Sequence, residues 1–167
     1  MPRVQRRTVD LSAYPDLVVV YLGMQAYTPR GLLTLARLGP GIRKAQRARP
    51  DGLLRHEDFV FLQWPPHVAF RQYWRDLDTL EAWTRELPHQ GWWQAFLRNP
   101  GGTGFWHEAH PVTGGVDSVY DDMRHPPGLA AFAEVVPATG RLFSSRGRLH
   151  GEPPKVAPVF DEDTLPG

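Results

Sequence analysis

The sequence predicts an α+β fold of the ferredoxin-like kind, ordered β-α-β-β-α-β-β over residues 16–125. Three observations carry this. Short β-branched or aromatic runs alternate with two amphipathic helical segments. Pro- and Gly-rich turns separate neighbouring strands, and the 167-residue chain is the size of one domain.

Taking the elements in order, Asp16–Met24 is apolar on both faces, as in a central strand covered on both sides. Tyr27–Gly31 reads as a turn, and Leu32–Ala48 as a helix with Leu35, Leu38, Ile42 and Ala45 on one stripe. Gly39-Pro40-Gly41 predicts a kink there, or two short helices. Phe59–Trp64 is a strand broken by Pro65-Pro66, and Val68–Arg75 returns antiparallel to it. Asp78 to Glu81 reads as a capping box opening a helix that Pro88 ends. A second segment, His89–Arg98, sets His89, Trp93 and Phe96 on one side. Gly104–Val112 and Val116–Met123 form the last strand pair, joined through Thr113-Gly114-Gly115.

Residues 1–15 read as an N-terminal arm, and 126–167 as an extended Pro/Gly-rich C-terminal tail. Local order is expected around Leu129–Val136 and Arg141–Leu149, with Glu152–Gly167 mobile. Helices on one face leave the other sheet face to be covered, and the strands are apolar on both sides (Val18 and Val20 against Val19 and Tyr21). A second copy packed sheet to sheet is the economical cover, so a homodimer is expected.

Composition removes several function classes. With 19 Lys+Arg against 18 Asp+Glu, net charge is +1, and no basic stripe suggests nucleic acid. The absence of Cys (count 0) excludes thiol nucleophiles, thiolate metal sites and Fe–S clusters. The run Leu17–Leu22 is far shorter than the ~20 residues that span a bilayer. No apolar segment follows Arg3, Arg6 and Arg7 as in a signal peptide, so a cytoplasmic location without membrane contact is expected. No metal-ligand spacing emerges either: His107 and His110 lie three apart on a strand and face opposite sides.

The runs VVVYLGM (18–24), RGLLTLARLGPGIRKA (30–45), DGLLRHEDF (51–59), QYWRDLDTLEAW (72–83), GTGFWHEAHPV (102–112), DSVYDDM (117–123) and PPGLA (126–130) resemble a known group of small proteins. This is the domain-of-unknown-function group DUF4188, similar to the antibiotic-biosynthesis-type monooxygenase of fumagillin biosynthesis. The resemblance spans 16–130, with a weaker echo in SSRGRL at 144–149. Trp64-Pro65-Pro66-His67 and Asp121-Asp122 depart from the group's pattern. The resemblance implies a dimeric α+β barrel with its ligand between the helices and the sheet. That fold hosts cofactor-independent oxygenases, haem enzymes and plain ligand binders, so it does not choose the chemistry.

The candidate catalytic residues are His89, Glu108 and His107. His89 follows Pro88 beside aromatic neighbours and suits proton transfer near neutral pH. The resemblance implies a second role for it, as axial ligand if haem is bound. In Trp106-His107-Glu108, strand alternation puts Trp106 and Glu108 on one face and His107 on the other, so Glu108 and His107 cannot share a pocket without a bulge.

The candidate substrate-binding residues are Trp93, Phe96, Trp106, Tyr73, Arg71, Tyr120 and His56. Arg71, Tyr73 and Arg75 share a strand face and could clamp an anion or carbonyl. His56-Glu57 is read as the mouth of the pocket, with Glu57 paired to Arg55 or Arg71. The 6 Trp in the chain suggest a flat apolar ligand.

The expected function is a monooxygenase-like oxidation of a hydrophobic, aromatic or polyketide-type small molecule in secondary metabolism, without metal, flavin or other cofactor. His89 or Glu108 takes a proton, the carbanion meets oxygen, and Trp93 and Trp106 exclude water. The alternatives are a haem enzyme with His89 as axial ligand, and a non-catalytic dimeric ligand-binding module.

Overall fold

The computed structural model describes residues 5–62, 64–121, 123, 126–155 and 162. It divides into two compact units, residues 16–111 and residues 1–15 with 112–167. The fold class is α+β with antiparallel sheets, as the sequence predicts.

The first unit holds β2 (Val18–Ala26), α1 (Pro29–Arg47), β3 (Leu53–Leu62), β4 (His67–Trp74), α2 (Leu77–Arg85), α3 (His89–Arg98) and β5 (Thr103–Pro111). Its strands form one sheet in the order β3-β4-β2-β5, all antiparallel, which is the ferredoxin-like arrangement. The register places Val20 beside Gln72 on one side and Ala109 on the other, and His56 beside Gln72. Val18, Val20, Trp74 and Leu80 make the buried cluster, with Leu22, Leu53 and Trp83 packed against it.

Helix α1 opens earlier than the stripe predicts. Thr28 caps it, accepting from the Gly31 N–H at 3.2 Å, and Pro29 occupies the first turn, where its missing N–H costs nothing. The helix then runs unbroken through Pro40, so two short helices are not formed. The lost hydrogen bond to the Ala36 carbonyl is a local defect that the 19-residue helix tolerates. Strand β3 begins at Leu53, six residues before the expected Phe59, because Gly52 takes φ 80° and accepts from the Arg75 N–H, which sets Leu53 opposite Trp74. Helix α2 is capped by Asp76, not Asp78: the Asp76 carboxylate accepts the Thr79 N–H at 2.7 Å.

The second unit is a three-stranded sheet, β6-β1-β7, formed by β1 (Arg6–Asp10), β6 (Tyr120–Asp121) and β7 (Glu134–Pro137). Residues 128–131 and 140–143 are single 3-10 turns, and α4 (Ser145–His150) follows, within the stretches expected to be ordered. The expected pairing of Val116–Met123 with the preceding strand does not form. Among the described residues of this stretch Tyr120 and Asp121 alone are strand, and their partners are Arg7 and Arg6. Side chains hold this segment instead: Asp117 is paired with Arg148, and Ser118 hydrogen-bonds with Thr8 at 3.4 Å. Most of Glu152–Gly167 lies outside the described residues. Among the described residues, no helix is long and apolar enough to cross a membrane.

Candidate functional site

Between the helices and the sheet of the 16–111 unit lies a cavity of about 710 Å³, within the range usual for small-molecule sites. Strand alternation builds its floor. Gln72, Val20 and Ala109 form one row across the sheet, Phe70, Leu22 and His107 the next, and Met24 with Phe105 a third. The roof comes from helical spacing: Leu38, Ile42 and Gln46 of α1, Leu80, Trp83 and Thr84 of α2, and His89, Trp92, Trp93 and Phe96 of α3.

Two aromatic groups stand in the lining. Trp93, Phe96 and Phe105 pack mutually at ring distances of 5.3 to 5.9 Å, with His107 5.9 Å from Phe105. In the other, His89 sits 4.6 Å from Trp83 and 6.5 Å from Trp92, and Trp83 continues to Trp74 at 5.3 Å. The exposed lining surface is mostly apolar, and of its polar residues the charged pair Glu81–Arg85 is closed on itself at 2.9 Å.

His89 is the best-defined polar group. Its Nδ1 lies 3.0 Å from the Thr84 carbonyl oxygen. A carbonyl can only accept, so Nδ1 carries the proton and Nε2 keeps a free lone pair. Burial holds the imidazole below its ordinary value near 6.5, the Thr84 bond opposing more weakly. The ring is therefore neutral at pH 7, with one nitrogen ready to take a proton or a metal. The structure brings His89, Trp93, Phe96 and His107 into the lining of one cavity, and it is His107, not Glu108, whose strand face turns inward.

Four other expectations are corrected by strand parity. Trp106 and Glu108 point to the opposite sheet face from Phe105, His107 and Ala109. The Trp106 indole N–H donates to His67 Nε2 at 2.8 Å. Glu108 is 66% exposed and lies 3.5 Å from His110. Arg71 and Tyr73 also face away from the cavity. Arg71 is bound to Glu57 through Nε and Nη2 at 3.0 and 2.7 Å and stacks on Phe59 and Tyr73, so it is no ligand clamp in this cavity. Glu57 also reaches Arg55 at 3.5 Å, so it pairs with both expected partners.

Tyr120 belongs to the other unit, where its hydroxyl accepts from the Ala130 N–H at 3.3 Å. His56 lies on the helix-facing side of the sheet but outside the lining, bonded to Asp58 at 3.2 Å and close to Gln72 at 3.4 Å. Trp83, Trp92 and Gln72 are lining residues absent from the expected set. The sequence carried a signal for Gln72, since alternation pairs it with Phe70 and Trp74 on one face. Among the described residues, no cluster of three or more His, Asp or Glu side chains is placed to hold a metal ion.

A family model described as Monooxygenase af470-like matches residues 17–129. No curated protein matches the chain. Among solved structures, an aldoxime dehydratase in complex with butyraldoxime is similar at 20% identity and a TM-score of 0.60, over 88% of this chain and 42% of that one. A second aldoxime dehydratase structure gives 18% identity and a TM-score of 0.56, over 81% of this chain and 39% of that one. SnoaB from Streptomyces nogalater, a cofactor-independent oxygenase, gives 12% identity and a TM-score of 0.46, over 62% of this chain and 99% of that one. The chain thus spans about two fifths of the aldoxime dehydratases it matches, and the likeness to them is one of fold.

Proposed function

The chain belongs to the monooxygenase af470-like family, and from that premise we propose that it oxidises a flat, hydrophobic small molecule of aromatic or polyketide type with His89 as the base. The narrower DUF4188 resemblance and a homodimeric assembly are parts of the same proposal. One observation carries it: a neutral histidine, its Nδ1 proton fixed on Thr84, lines an aromatic-walled cavity, and among the described residues its Nε2 has no partner. In that setting Nε2 takes a proton from an activated methylene of the substrate, and the aromatic walls keep the carbanion from water. The carbanion supplies the electrons for dioxygen. The methylene becomes a carbonyl, and the second oxygen atom leaves with both methylene hydrogens as water, so no flavin or metal is needed.

Oxygen uptake by purified, metal-free protein with a tricyclic ketone bearing an activated methylene tests this. Uptake is expected, with the carbonyl product formed one for one. No uptake, together with ligand protection against heating, points instead to a non-catalytic binding module.

A haem reading uses the same nitrogen. Nε2 of His89 has the lone pair an axial ligand needs, and the Nδ1–H bond to a backbone carbonyl is the usual support for a ligating imidazole. Trp83, Trp92 and Trp93 supply apolar surface for a flat macrocycle, so the residues present fit the group. Bound haem would supply redox and oxygen chemistry of its own. An absorbance scan of the protein as purified tests the haem reading: a Soret band abolished by His89→Ala selects haem, and a featureless visible spectrum leaves oxygen uptake to decide between the cofactor-free oxidation and the binding module.

A further inference from the structure

Gln72 is 2% exposed, lines the cavity floor and belongs to a hydrogen-bond chain in which every proton can be assigned. The assignment starts at Trp74, whose indole N–H donates to Gln72 Oε1 at 3.1 Å. An indole nitrogen is a donor only, so this end of the carboxamide is its oxygen. The amide nitrogen then faces His56 Nδ1 at 3.4 Å, and that nitrogen must accept. The His56 proton is accordingly on Nε2, which donates to Asp58 Oδ1 at 3.2 Å. The two ends of the Gln72 amide are thereby pinned, one by Trp74 and the other by the His56–Asp58 pair.

A carboxamide nitrogen has two N–H groups, and one is spent on His56. Among the described residues the other has no protein acceptor. It belongs to a residue bordering the cavity, beside Val20 of the buried cluster. A buried donor in apolar surroundings is costly unless something accepts from it. A ring hydrocarbon offers nothing; a ring ketone or its enolate does.

We propose that Gln72 donates this second N–H to the carbonyl or enolate oxygen of a conjugated ring ligand, selecting ketones over hydrocarbons of the same shape. Trp74, His56 and Asp58 are positioning residues that keep the amide nitrogen, not the oxygen, available to the ligand. The inference rests on the reading of this cavity as the site for a flat ring ligand and adds the functional group it recognises. When a methylene next to that carbonyl loses its proton, negative charge collects on the oxygen that Gln72 holds.

The test uses the full chain with two probes of equal shape, 9-fluorenone and fluorene, followed by quenching of tryptophan emission. The wild type is expected to bind fluorenone about tenfold more tightly, the worth of one well-made neutral hydrogen bond. The infrared carbonyl band of bound fluorenone is expected at lower frequency than in hydrocarbon solvent. Gln72→Leu is expected to bind both probes alike and to leave the band unshifted. Gln72→Glu, which keeps an oxygen for Trp74 but removes the donors, is expected to favour fluorene. His56→Leu is expected to split the band into shifted and unshifted populations, and His56→Asn, which again offers an acceptor, to restore one shifted band.

Retention of the tenfold preference and the band shift in Gln72→Leu overturns the proposal, as does failure of the wild type to bind either probe. None of these readouts needs turnover. A Gln72-dependent preference without oxygen uptake removes the oxidation reading and leaves this one, and the reverse pattern removes only this one.

Discussion

At the scale of single residues, two histidines in the 16–111 unit are held neutral by burial, His56 and His89. Their pKa values lie below the ordinary 6.5, so in that window the unfolded chain binds more protons than the folded one. Stability from these groups is therefore complete above about pH 6.5 and is lost as pH falls through the folded-state values. Melting curves between pH 7.5 and 5.5 are expected to show a falling Tm, and His56→Gln with His89→Gln should flatten the slope; an unchanged slope contradicts the burial argument.

Glu108→Gln is the matching control, since this exposed carboxylate lies on the face away from the cavity. Substrate oxidation should stay within about twofold of wild type and stability within about 0.5 kcal/mol, as for other surface positions. A Glu108→Gln variant without activity contradicts the site as described. His89 was legible in the sequence because Pro88 fixes a helix start and helical spacing aligns His89, Trp93 and Phe96. The choice between His107 and Glu108 was not. Alternation shows that neighbours face opposite ways, but only tertiary packing decides which way is inward. Gln72 escaped notice because a neutral amide has no titration signature, and its meaning comes from Trp74 and His56 around it.

At the scale of elements, α1 carries two substitutions with separable effects. Pro40 is exposed inside an otherwise regular helix and removes one backbone hydrogen bond. Pro40→Ala restores that bond and is expected to stabilise by about 1–3 kcal/mol, raising Tm by several degrees, with ring-ligand affinity unchanged. Gly41 is different, because a Cβ placed there meets Trp92 Cζ2 at 3.3 Å. Gly41→Val therefore pushes on a cavity wall and should weaken ring-ligand binding roughly fivefold, an overpacking cost on the order of 1 kcal/mol. Titration of tryptophan emission in the two variants checks the pair. Equal affinities for Gly41→Val and wild type would sink the role given to Trp92.

The Gly-Pro-Gly run was visible as an oddity of the sequence, but the break expected there does not form, because the helix runs on through Pro40. Its use was not visible, since Trp92 approaches from another helix more than 50 residues away in sequence. The same limit explains the misplaced cap of α2. Asp76 and Asp78 are both plausible N-caps, and the extended backbone at Asp76, whose neighbour Arg75 is bound by Asp51, favours the earlier one.

At the scale of the whole molecule, the order of the elements was legible because each strand and helix has its own period and turn signals. The second sheet was not. Its central strand β1 pairs with β6 and β7, more than 100 residues away, and periodicity carries no information about such partners. All the residues that line the cavity fall within the 16–111 unit. The proposed homodimer predicts a solution mass of twice the 18.9 kDa chain by light scattering, and a monomer across micromolar concentrations contradicts it.

Neutral His89 is proposed as the base of an oxidation inside the aromatic cavity. The most direct measurement is oxygen uptake by metal-free protein with an activated-methylene tricyclic ketone, comparing wild type with His89→Ala as pH is varied. His89→Ala is expected to lose about 10²–10⁴-fold, and the wild type to show an acid limb below pH 6.5 that disappears with the imidazole. Uptake by His89→Ala at the wild-type rate and with the wild-type acid limb would contradict it.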